Sequence, residues 1–165
     1  MYKLIEKLDS VIGLKQADAH CDIPCKIYDP FSAQLAALSV LRFLHLIDEL
    51  EQSPNLSVGD MATLSRLVRE KEIHAETAKT EVRIIWGDAF KQAQIDQHPQ
   101  VSDLVHRIMQ TASACKQKID PLNGEKLVQE INEFAEIFWK TKDVETYVAE
   151  CPYPPSVPVV YPKLG

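Results

Sequence analysis

The sequence predicts an all-α protein: an up-down-up-down four-helix bundle preceded by a short hook near the amino end. Three observations carry this. Only five of the 165 residues are glycine, and Leu, Ala, Glu, Lys and Gln dominate the middle of the chain, a composition that favours helix. Four segments place apolar residues at helical spacing. The connections between them are short, which makes sequential helices antiparallel neighbours. At 45% hydrophobic and 25% charged residues, the chain suits one domain with a sizeable core.

Residues 1–19 read as a removable propeptide. Leu4, Ile5, Leu8, Val11 and Ile12 could line one side of a short amphipathic helix. Ala17-Asp18-Ala19 faintly resembles a signal-peptidase site, but Glu6, Lys7 and Asp9 intervene and the apolar run is only Val11 to Leu14, too short for a secretory signal. Residues 20–30 form the hook, where Pro24 and Pro30 both resist helix.

The bundle spans 31–147. Its first helix opens at Pro30 or Ser32 and runs to about Gln52, with Leu35, Leu38, Leu41, Phe43, Leu44, Leu46 and Ile47 as apolar positions. Ser53-Pro54-Asn55 ends it. Ser57 is the expected N-cap of a long second helix, roughly 57–94. Its centre, Arg69 to Glu81, is more polar, which points to a kink or a face turned to a partner. His98-Pro99 closes the loop that follows. The third helix, about 100–118, shows Val101, Leu104, Val105, Ile108, Met109, Ala112 and Cys115 on one face. Asp120-Pro121-Leu122-Asn123-Gly124 reads as a turn. The fourth helix, about 125–147, aligns Leu127, Val128, Ile131, Phe134, Ala135 and Phe138. Residues 148–165 are Pro-rich and expected to be extended, either as a strap over the bundle or a neighbouring subunit, or as a disordered tail.

A net charge of -6 speaks against non-specific nucleic-acid binding, and an anionic substrate would need basic residues near its site. Four cysteines, Cys21, Cys25, Cys115 and Cys151, lack the density of a disulfide scaffold. No apolar run reads as long enough to span a membrane. Cys115 sits on an apolar face and is expected to be buried and inert. Cys151 is read as a bystander, and His45, His98 and His106 as ordinary surface or core histidines.

The hook, His20-Cys21-Asp22-Ile23-Pro24-Cys25-Lys26-Ile27-Tyr28-Asp29-Pro30, concentrates an imidazole, two thiols and two prolines. If the first nineteen residues are cut away, His20 gains a free α-amine. That amine, the Cys21 amide nitrogen and the Cys21 sulfur then form adjacent chelate rings. Pro24 biases Ile23 toward extended backbone, so the chain can turn and present Cys25 as a fourth in-plane donor. The His20 imidazole is left for an axial place. A square-planar set of nitrogens and sulfurs suits nickel or copper better than zinc, which prefers a tetrahedron. From spacing alone, buried structural thiols or a redox pair explain the same residues.

His20-Cys21-Asp22-Ile23-Pro24-Cys25 followed by Tyr28-Asp29-Pro30 closely resembles the hook signature of the nickel superoxide dismutase family. Ile85-Trp86-Gly87-Asp88-Ala89-Phe90-Lys91, Asp120-Pro121 through Gly124, and Ile137-Phe138-Trp139-Lys140-Thr141-Lys142 resemble later segments of that family in order, so the likeness covers about residues 20–142. The resemblance implies cleavage between Ala19 and His20 by a maturation peptidase. It implies one nickel ion per subunit, held by the His20 amine and imidazole, the Cys21 amide and thiolate, and the Cys25 thiolate. It implies dismutation of superoxide to dioxygen and hydrogen peroxide by Ni(III)/Ni(II) cycling, in a homohexamer. Tyr28 joins His20, Cys21 and Cys25 as a catalytic position, Asp22 and Tyr28 order the hook and line substrate access, and Lys91 lies near the entrance. Trp86, Phe138 and Trp139 read as core or subunit contacts.

The chain departs from the family pattern in three places. The position of a Glu that holds the axial imidazole falls on Ala36, and that of its Arg partner falls on His74. The expectation is that His74, with a water, replaces the pair. The usual glycine after the second hook cysteine is Lys26. Three rival readings compete, one of them a helical interaction module with an uncleaved hook that has lost catalysis, against which retention of the His20, Cys21 and Cys25 side chains argues. A ferritin-like di-iron bundle needs Glu-x-x-His on two helices, and the chain has no such motif. A non-enzymatic nickel-binding or delivery bundle would use the same hook without turnover. The expected compartment is the cytoplasm, with no membrane or nucleic-acid partner.

Overall fold

The computed structural model describes residues 25–165. The propeptide and the hook residues His20, Cys21 and Asp22 lie outside them. Five helices follow: α1 (Phe31–Glu51), α2 (Val58–Ile84), the short α3 (Gln92–Gln97), α4 (Val101–Gln117) and α5 (Pro121–Lys140). A hairpin of β1 (Thr146–Glu150) and β2 (Pro158–Pro162) completes the chain. The long helices pair as α1 with α2, α2 with α4, α4 with α5 and α5 with α1, which closes a four-helix bundle.

The caps explain where the helices start. Asp29 Oδ1 accepts from Phe31 N at 2.8 Å just ahead of α1. Ser57 and Asp60 form a reciprocal capping box on α2, with Ser57 Oγ accepting from Asp60 N at 3.1 Å and Asp60 Oδ2 accepting from Ser57 N at 2.9 Å. The Ser57 hydroxyl, which donates to Asp60 Oδ2 at 2.7 Å, and then the Ser57 N–H hold the Asp60 carboxyl below its ordinary pKa. Asp120 accepts from Leu122 N at 3.0 Å and Pro121 fills the first helical position, so the Asp-Pro-Leu-Asn-Gly run is a cap and first turn of α5 rather than a loop.

The core is built from inward faces at helical spacing. Ala33, Ala37, Val40, Leu41 and Leu44 of α1 are buried, with Ala75, Ala78 and Val82 of α2 against them. The polar centre of α2 is therefore no unpacked stretch: its small residues let α1 approach closely. Lys71, only 1% exposed, extends from this stretch to the end of α4, where Nζ donates to the carbonyls of Cys115, Lys116 (2.9 Å) and Lys118 (3.1 Å). A cation at a helix carboxyl end satisfies orphan carbonyls and opposes the helix dipole. Burial pushes its pKa down. By length and composition alone α1 could cross a membrane, contrary to the sequence expectation, but half of its most apolar window is buried in the bundle.

Two boundaries differ from expectation. The second helix ends at Ile84, passes through a π-helical turn at Ile85–Ala89, and breaks at Phe90 (φ -82°, ψ 117°). Gly87 and Asp88 are weak helix formers. Phe90 leaves the helix to pack between Phe134 and Phe138, with ring centroids 5.7 and 6.5 Å away. The last helix ends at Lys140, and Asp143 adopts the left-handed φ of 55° that turns the chain into β1.

Hairpin register pairs Val148 with Val160. The ladder bonds Cys151 N to Val157 O and Lys163 N to Glu145 O set the alternation, so Pro158, Val160 and Pro162 point their backbone groups to the outer edge of β2. Two of those three have no N–H to offer, which blunts the edge.

Candidate metal centre

Antiparallel packing places the amino end of α1, the carboxyl end of α2, the amino end of α4 and the carboxyl end of α5 at one end of the bundle. Residues 25–30 enter α1 there. Cys25 is partly exposed and Lys26 exposed. Tyr28 is half-buried and packs against the core, and Pro30 is buried. The chain therefore enters α1 over an anchored base, Tyr28-Asp29-Pro30, with the Cys25 thiol three residues before it.

Lys26 has φ 58°, in the left-handed region. The backbone here takes a conformation that glycine adopts without steric cost and lysine does not. This conformation falls directly after Cys25. The lysine does not prevent it; it makes it more costly than glycine would.

Lys91 lies just beyond the π-turn, at the same end of the bundle as Tyr28. It is exposed, and its backbone N–H donates to Gln94 Oε1 at 3.1 Å. Lys26 and Lys91 thus put positive charge at the hook end of an acidic protein. Ala36 is 3% exposed, within the core, and offers no polar group. His74 lies elsewhere. Its ring meets Phe43 edge-on at 5.3 Å, and Nδ1 bonds the Glu70 carbonyl at 2.8 Å. Phe43 is two turns beyond Ala36, about 10 Å along the helix, so His74 is not brought beside the hook base. Because a carbonyl oxygen only accepts, Nδ1 is the donor in this bond.

Other candidates fall away from this end. Among the described residues no group of three His, Cys, Asp or Glu side chains is placed to hold a metal ion. Cys115 is fully buried, and desolvation pushes its thiol up to about 12. Cys151 is buried in the hairpin turn, its Sγ donating to Tyr153 O at 3.3 Å. A groove of about 440 Å³ between the hairpin and the bundle is lined by Leu41, Val128, Val148 and Val160, among others, an apolar surface without redox chemistry. Phe138 and Trp139 meet edge-on at 5.2 Å, and Trp86 packs against the core.

A helical bundle whose sequence carries an imidazole and two thiols just ahead of its first helix has the donor types of a metalloprotein. Thiol and imidazole donors are of the kind that suits nickel. A family model described as nickel-containing superoxide dismutase matches residues 15–142. The superoxide dismutase [Ni] of Streptomyces seoulensis is 33% identical over 77% of this chain and 91% of its own length. That of Streptomyces coelicolor is 35% identical over 75% of this chain and 88% of its own. A solved nickel superoxide dismutase structure, described with nickel ligation of the oxidized state, aligns with TM-score 0.67 and 33% identity over 75% of this chain and 99% of that one. The chain belongs to the nickel-containing superoxide dismutase family.

Proposed function

We propose that the chain, once it begins at His20, dismutes superoxide to dioxygen and hydrogen peroxide at a nickel ion in the hook. The observation that carries this reading is a family match that runs through the hook and the bundle together. The left-handed Lys26 supports it, because the residue directly after Cys25 takes a backbone conformation that favours the glycine of the family pattern. His20, Cys21 and Cys25 would hold the metal: His20 through amine and imidazole, Cys21 through amide nitrogen and thiolate, Cys25 through thiolate. Nickel, when bound, supplies one-electron cycling between Ni(III) and Ni(II).

The remaining work falls to the protein. Two superoxide anions and two protons give one dioxygen and one peroxide, so the site must attract anions and deliver protons. Lys26 and Lys91 offset a net charge of -6 locally and steer the anion. Tyr28, held by its packing on the core, offers a hydroxyl to orient water, substrate or peroxide, and Asp22, which lies outside the described residues, is assigned the ordering of the hook. His74 acts as a positioning residue through Phe43 and α1. Unchanged activity and an unchanged nickel spectrum in His74→Ala would remove it from the account.

Assembly, maturation and compartment extend the same reading. Ile27 (73% exposed), Phe31 (45%) and Leu35 (39%) form an apolar surface running from the hook into α1, which supports subunit contacts there and a homohexamer. A peptidase cutting between Ala19 and His20 releases the amine. A cytoplasmic enzyme would protect the compartment in which superoxide forms, because the anion crosses membranes poorly. The testing experiment is superoxide turnover of nickel-treated chain beginning at His20. Nickel binding without turnover would favour a delivery role.

A further inference from the structure

The family match ends at residue 142, before the hairpin begins. The hairpin is nonetheless fixed to the bundle by a specific polar cluster. Gln34, one turn into α1 and 5% exposed, donates both Nε2 protons: to Val160 O at 2.8 Å and to Asn132 Oδ1 at 3.1 Å. Asn132 Oδ1 also accepts from Val160 N at 3.1 Å, and its Nδ2 donates to Pro158 O at 2.9 Å. The pattern is self-consistent, since turning either amide over would set like atoms against each other. Between them the two side chains take up Val160 N–H, Val160 C=O and Pro158 C=O, on the outer edge where the flanking prolines have no N–H.

Gln34 is also tied toward the hook. Its backbone N–H donates to Pro30 O at 3.0 Å, and the next bond upstream is Phe31 N to Asp29 Oδ1. One residue thus links β2, α5 and the base from which Tyr28 and Cys25 project. We propose that the carboxyl-terminal hairpin is an intramolecular brace for the metal hook, with Gln34 as the positioning residue that transmits it. The brace stands in a chain whose imidazole-holding positions are Ala36 and His74, and it supplies order that a short hook cannot generate itself.

The inference rests on the proposed nickel role, so the test has a metal-free arm and a nickel arm. Gln34→Met keeps the side-chain volume and removes both donated bonds. Lys71→Met serves as a control that destabilises the bundle at the α4 end. In metal-free protein, Gln34→Met is expected to speed amide hydrogen exchange across residues 26–34 about tenfold, while Lys71→Met leaves that segment unchanged relative to global exchange. In nickel-loaded chain beginning at His20, Gln34→Met is expected to release nickel to a chelator about tenfold faster and to broaden the nickel electron paramagnetic signal. Truncation after residue 142 should reproduce both effects. Exchange and nickel release that are unchanged in Gln34→Met, or equally raised by Lys71→Met, would overturn the brace. If the parent chain binds no nickel, the nickel role fails, and the exchange arm alone decides whether the hairpin orders the hook base.

Discussion

Lys26 carries the clearest consequence at the residue scale. A lysine at φ 58° sits where a Cβ is crowded by its own backbone, so Lys26→Gly should stabilise the nickel-loaded protein by about 1 kcal/mol, measured by chemical denaturation. The same change removes a charge near the entrance, so it should lower the low-salt turnover rate while it stabilises the fold. Lys91→Gln tests the charge alone: a fall in kcat/KM of about two- to tenfold at low ionic strength, fading as salt rises, is expected from steering. Cys115 makes a pH prediction. Its folded thiol pKa is about 12, raised from 9.0, so the folded state holds the proton more tightly than the unfolded one. Its contribution is fully present below pH 9, declines as pH rises toward about 12, and is absent above. Lys71, with a lowered pKa, has the opposite slope below 10.5, so only the difference between parent and Cys115→Ala isolates the thiol. Chemical denaturation from pH 8 to 11 should show a shallower alkaline loss in the variant. The burial of Cys115 was legible from periodicity. The partners of Lys71 were not, because three carbonyls from a distant helix end leave no mark in the sequence around a lysine.

At the scale of elements, close approach rather than propensity decides several outcomes. A Cβ at Gly124 would lie 2.9 Å from Leu44 Cδ1 and 3.1 Å from the Leu41 Cα, and the backbone atom cannot yield. Gly124→Ala should therefore destabilise by about 1–3 kcal/mol, measured by thermal or urea unfolding, although alanine is the better helix former. Sequence reading placed this glycine in a turn, because Asp-Pro-x-Asn-Gly is turn chemistry; the Asp-Pro pair starts a helix here, and packing against α1 fixes the glycine. The four long amphipathic segments were legible because a 3.6-residue repeat over many turns is hard to mistake. Their ends were less so. Phe90 leaves α2 for a cluster with Phe134 and Phe138, residues more than forty positions away, a tertiary cause that no local window contains. The Pro-x-Val-x-Pro run did signal extended structure, but its docking depends on Gln34 and Asn132, two amides unremarkable in sequence.

At the scale of the whole molecule, the bundle places the base of the hook, residues 25–30, together with Lys26, Lys91 and exposed apolar residues at one end. The proposed metal donors are a reading of sequence alone: they fall within six consecutive residues, His20 to Cys25, of which only Cys25 is among the described residues. What sequence could not supply is the support: the left-handed turn at Lys26, the anchored base at Tyr28 to Pro30, and the hairpin that ties α1 to α5. The placement of His74 against Phe43, two turns along α1 from Ala36, likewise depends on how α1 and α2 pair.

The central claim is that a free amine on His20 makes the site. Intact mass, nickel content and superoxide turnover should be measured on the same nickel-treated samples of full-length chain and of chain beginning at His20. The account predicts one tightly bound nickel per subunit and rapid turnover in the His20-initiated form alone. Equal turnover by the full-length chain, verified intact by mass, would contradict it, because His20 nitrogen would then be a peptide amide and no terminal amine could serve the metal.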